Sequence, residues 1–89
     1  MVYAVHALQK KMVALGGESI ERFDADNRSI SSVTLTVNRN AYERIAREID
    51  DFRKRIVAIA ADITEADQIY QMNLQFFPMT WNVKEFKEV

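Results

Sequence analysis

The sequence predicts an α/β (α+β) domain in the order helix, strand, helix, strand, and three observations carry that expectation. Over residues 5–23 and 42–59 apolar side chains recur at spacings of three and four, the period of one helix face. Over residues 29–38 and 70–76 they alternate with polar ones, the period of a strand with one buried face. Asp24, Asp26 and Asn27, all turn formers, separate the first helix from the first strand.

In the first helix the apolar stripe consists of Val5, Leu8, Met12, Leu15, Ile20 and Phe23. Gly16 and Gly17 interrupt it, at about 1 kcal/mol each relative to Ala. Ile20 and Phe23 nevertheless resume close to the phase set by Leu8, Met12 and Leu15, so one continuous helix is expected. The helix begins almost at Met1 without a capping sequence, which is what a piece of a longer chain would show.

In the first strand Val33, Leu35 and Val37 alternate with Ser32, Thr34 and Thr36. Asn38 or Asn40 can cap the second helix, the latter with Glu43 at the capping-box spacing. Tyr42, Ile45, Ile49, Phe52, Ile56 and Ile59 then form the clearest stripe in the chain, with Ala46 and Ala60 widening it. The opposite side carries Glu43 before Arg47, Asp50 before Lys54 and Asp51 before Arg55, each four residues apart in the favourable order. In the second strand Tyr70, Met72, Leu74 and Phe76 alternate with Gln71, Asn73 and Gln75, and Pro78 closes it.

The expected architecture is therefore two-layered. Residues 1–78 form a single αβαβ domain with a right-handed βαβ unit and both helices on one sheet face, and residues 79–89, with Trp81, form a C-terminal tail. A two-stranded sheet keeps two open edges, so its extension by dimerisation is expected. A hydrophobic content of 48% in 89 residues points the same way, because a domain this small hides a limited share of its surface.

Composition narrows the function. With 12 basic and 13 acidic residues the net charge is −1, which lacks the basic excess of a free-standing nucleic-acid binder. Cysteine is absent, which suits a reducing cytoplasm, and no apolar run approaches the ~20 residues of a membrane span. Localisation in the cytoplasm is the resulting expectation.

No catalytic constellation stands out. His6 is the only histidine, has no nucleophile motif beside it and is best taken as an ordinary helix residue. Asp24-Ala25-Asp26 starts like a calcium loop, but Arg28, Ser29 and Leu35 fall where an oxygen ligand, Gly and Glu are needed. The two glycines lie in a helical pattern and not after a strand, so no phosphate loop is present. Tyr70, Phe76 and Phe77 lack the Gly-aromatic spacing of an RNA-stacking sheet and are expected to be core aromatics. The expectation is a non-enzyme with no catalytic residue, no cofactor and no metal.

One feature is less ordinary. The outward side of both expected strands is polar yet uncharged: Ser32, Thr34 and Thr36 on one, Gln71, Asn73 and Gln75 on the other. Such a face suits a sheet-to-protein contact or a small polar ligand as well as plain solvent.

Three segments carry a resemblance. Arg28-Ser29-Ile30-Ser31-Ser32-Val33-Thr34-Leu35-Thr36-Val37, then Phe52-Arg53-Lys54-Arg55-Ile56, then Ile69-Tyr70-Gln71-Met72-Asn73-Leu74-Gln75-Phe76-Phe77-Pro78 resemble the Fibrobacter succinogenes major paralogous domain family. The matching part of that family is a C-terminal domain of unknown function. The likeness spans about residues 8–78, with Ser29 and Gly16 departing from the family pattern. It implies the C-terminal regulatory or dimerisation domain of a transcription regulator, acting as a homodimer and reaching DNA only through an N-terminal region absent from this sequence. It implies no ligand and no catalytic residue. A small-molecule sensing domain, using the polar Ser32/Thr34/Thr36 and Gln71/Asn73/Gln75 face with an unidentified effector, is the alternative.

Overall fold

The computed structural model describes residues 2–80. Helix α1 spans Val2–Arg22, a single 3-10 turn, η1, spans Ala25–Asn27, and helix α2 spans Arg39–Ala61. Both helices lie where the three-and-four spacing puts them. α1 starts almost at Met1, as expected, and runs through Gly16 and Gly17 without a break, and neither glycine has a positive φ. The retained apolar phase outweighs the propensity cost of two glycines.

At the start of α2 the choice between two asparagines is resolved. Asn38 is the N-cap, in extended geometry, and its Oδ1 accepts a 2.8 Å hydrogen bond from the Ala41 amide. Asn40 lies inside the first turn, so the capping box with Glu43 does not form. Glu43 instead lies 3.8 Å from Arg39, and Asp50 pairs with Lys54 at 3.4 Å as the spacing predicts. Asp50 also accepts from Arg53 at 2.6 Å. The guanidinium of Arg55 sits over the Phe52 ring and that of Arg39 over Tyr42. Of the three expected i,i+4 pairs, only Asp50–Lys54 is present among the described residues.

The α/β expectation is overturned. Among the described residues there is no strand, and residues 29–38 and 69–77 carry no ladder. The order is helix, 3-10 turn, helix, with two irregular segments, so the described residues form no βαβ unit and no sheet face. The physical reason is that alternation marks a segment suited to a sheet without supplying its partner. A lone pair of strands is marginal in water, and a parallel pair joined by a helix must also satisfy a slanted ladder. Here residues 70–76 are tied to the helices through side chains instead.

Three such ties fix that segment. The Tyr70 hydroxyl donates to the Asn27 carbonyl at 2.9 Å, across 43 residues of sequence. Asn73 Nδ2 donates to the Met12 carbonyl in the middle of α1 at 2.7 Å. Phe76 stacks on Tyr42 at the start of α2, with ring centroids 5.2 Å apart and planes 13° from parallel. The segment is a strap across α1, η1 and α2.

The strap does not bury what its alternation predicts. Asn73 and Phe76 are half-buried, while Met72 and Tyr70 are 51% and 66% exposed. The half-buried residues of α1 are Met12, Gly16 and Ser19, and those of α2 are Ala41, Tyr42, Ile45, Ala46, Ile49 and Ile56. No described residue is fully buried. The radius of gyration is 16.8 Å, where a closed globular chain of this length has about 12 Å. The expected Trp81 tail lies outside the described residues, save for its first two positions.

Candidate functional site

The side chains that converge do so around a cleft of about 640 Å³ between the two helices. α1 supplies Leu8, Gln9, Met12 and Val13 to one wall, and α2 supplies Arg53, Ile56 and Val57 to the other. Strap residues 71–75 form the rest of the lining. The helical residues fall at i, i+1, i+4 and i+5 on α1 and at i, i+3 and i+4 on α2, so each wall is one continuous helix face. The apolar stripes recognised in the sequence thus face the cleft only in part. Leu8 and Met12 line it, but Leu15, Ile20 and Phe23 do not.

Gln71, Asn73 and Gln75, one half of the polar face read from the sequence, lie in this cleft. Asn73 is its anchor. While Nδ2 donates to Met12, its Oδ1 accepts from Gln71 Nε2 at 3.2 Å. Gly16 lies beside the same amide, and a Cβ placed there would be 3.5 Å from Asn73 Nδ2, an ordinary contact. Gln9 and Gln75 make no side-chain hydrogen bond among the described residues.

Ser32, Thr34 and Thr36, the other half, are exposed on the irregular segment before α2 and do not line the cleft. Without a sheet there is no surface to join the two triads. The sequence reading also missed Gln9 and Arg53 as cleft residues. They sit on the helix faces flanking the strap, and which face meets a strap is a tertiary choice.

Electrostatically the cleft is nearly neutral. Arg53 is its one charged residue among those described, and Asp50 at 2.6 Å balances it. Hydrogen bonds from Arg53 and Lys54, with the Lys54 charge, hold the Asp50 carboxyl below its ordinary value. Both partners are solvated, so this is a surface arrangement of small energetic weight. His6 lies exposed on α1, away from the cleft. Among the described residues no group of three or more His, Cys, Asp or Glu could hold a metal ion. Among the described residues no helix is long and apolar enough to cross a membrane.

What the cleft offers chemically is apolar carbon with amide donors and acceptors. No curated protein and no solved structure matches the chain. A family model described as a domain of unknown function, DUF4423, matches residues 2–79, nearly all of the folded part just described, and the chain belongs to that family.

Proposed function

We propose that this domain is a non-catalytic self-association element, the regulatory or dimerisation part of a transcription regulator. The observation that carries the reading is the absence of any buried residue among those described, in a chain with 48% hydrophobic content. Leu8, Val13, Leu35, Phe52, Val57 and Leu74 are all more than a third exposed.

The area makes the point quantitative. The chain exposes 9056 Å², whereas a folded monomer of 10.3 kDa exposes about 5,400 Å². The ten residues outside the description can contribute at most about 1,900 Å². Roughly 1,750 Å² of surplus then falls on described residues, more than the about 800 Å² per partner of a standard stable interface. Burial of that order is what a domain without an internal core needs. A closed twofold dimer is the commonest way to obtain it, and a net charge of −1 sets up little repulsion between copies.

The regulator setting rests on the resemblance of residues 28–37, 52–56 and 69–78 to a family of such proteins. The charge balance supports leaving DNA contact to another region, since this chain has no cationic surplus to neutralise phosphate. Sedimentation equilibrium at tens of micromolar tests the reading. A mass near twice 10.3 kDa is expected, and a clean mass at 10.3 kDa overturns it.

The cleft favours a second reading, a small-molecule sensing domain in which Gln71, Asn73 and Gln75 hold the effector. Its volume of about 640 Å³ lies in the range of ligand sites, about 300–1,000 Å³. Native mass spectrometry of the freshly purified domain distinguishes the two. A bound small molecule on a single copy favours sensing, and paired chains without one favour self-association.

A further inference from the structure

We infer that the cleft between α1 and α2 is the face a second copy of this chain closes, with the amide row Gln71–Gln75 meeting its own counterpart across a twofold axis. This rests on the self-association reading and specifies the surface it uses.

Three observations select this face. It is where apolar carbon from three separate segments gathers around one depression: Leu8 and Val13 from α1, Val57 from α2, Met72 and Leu74 from the strap. These side chains are 55%, 39%, 61%, 51% and 41% exposed, so the depression is lined by apolar carbon left open to solvent. The charged surface of α2 outside the cleft, with Glu43 beside Arg39 and Lys54 beside Asp50, is already paired in water and would lose hydration on docking.

The chemistry of the strap then selects the occupant. Against its own copy every residue near the axis of a twofold interface meets itself, so a charged side chain there repels its counterpart. A primary amide carries both donor and acceptor and can pair with an identical amide. Gln71 and Gln75 supply such groups, and Arg53, the only charge of the cleft among the described residues, is neutralised within its own chain at 2.6 Å. Nucleic acid or a strongly charged peptide would need an opposite charge that this lining lacks. A second copy needs none.

The full chain is tested by sedimentation equilibrium over a concentration series, with circular dichroism at 222 nm as a check on helix content. Gln75 is exposed and makes no hydrogen bond among the described residues, so Gln75→Lys and Gln75→Glu leave the fold intact. Each alone is expected to weaken self-association at least tenfold, and mixing the two is expected to restore it through opposite charges. Val57→Glu should weaken association by a similar factor, whereas Ile20→Glu, equally on a helix but outside the cleft, should not. If Gln75→Lys, Gln75→Glu and Val57→Glu all associate like the parent, the cleft is not the interface and this inference fails while dimerisation stands. Dissociation by Ile20→Glu alone has the same meaning. A parent chain that sediments as a monomer overturns both.

Discussion

Asn73 shows how much one amide can determine in an open fold. Its Nδ2 bond to the Met12 carbonyl is the only hydrogen bond among the described residues that ties the strap to α1. Asn73→Ala should cost about 1 kcal/mol, the usual net worth of such a bond, and lower the midpoint of urea unfolding followed at 222 nm. An unchanged midpoint would mean that the Tyr42–Phe76 stack and the Tyr70–Asn27 bond suffice to hold the strap. The glycines beside it make the opposite case. Nothing lies within 4 Å of a Cβ at Gly17, and at Gly16 the nearest atom is the Asn73 amide at 3.5 Å. Gly17→Ala is therefore expected to stabilise the protein by about 0.5–1 kcal/mol through helix propensity, and Gly16→Ala by no more than that. A loss of stability in Gly17→Ala would show that something outside this chain approaches the helix there.

Among elements, α2 is the better specified helix. Its cap, its stripe and the Asp50–Lys54 pair agree, whereas α1 carries two glycines in its middle. Asn38→Ala removes the cap bond to Ala41 and should cost about 1 kcal/mol, seen as earlier thermal loss of helical signal. Acid acts on the same helix through Asp50. Because Arg53 and Lys54 lower its pKa below 3.8 in the folded chain, its contribution is complete above that value. It is lost as pH falls through the lower folded value. Asp50→Asn should remove that part of the acid dependence, leaving a flatter helical signal between roughly pH 5 and pH 2. An identical acid profile in the variant would place the sensitivity at another carboxylate.

For the molecule as a whole the ratio of surface to mass is the governing fact. If a second copy supplies the missing burial, unfolding is linked to dissociation and the melting temperature rises with protein concentration. A tenfold increase in concentration should move it upward by a measurable amount, and a concentration-independent value would identify a monomer. The same near-neutral surface should leave the domain unable to shift duplex DNA at sub-micromolar concentration, even in low salt.

The sequence by itself determined both helices, the turn between them, the Asp50–Lys54 pair and the continuity of α1 through Gly16 and Gly17. Each depends on neighbours within four or five residues, and period and propensity report such neighbours directly. Only the tertiary structure decided the fate of residues 29–38 and 70–76. Their alternation of Val33, Leu35 and Val37, or of Tyr70, Met72, Leu74 and Phe76, describes a surface that fits a sheet, but a ladder exists only where a second backbone lies alongside. In this chain residues 70–76 meet helix carbonyls and an aromatic ring instead, which turns Asn73 inward and leaves Met72 exposed. For the same reason Gln71, Asn73 and Gln75 were legible as an unusual uncharged row, while their place opposite Gln9 and Arg53 was not. Pairing between distant segments depends on contacts across dozens of residues, and local periodicity carries no record of them.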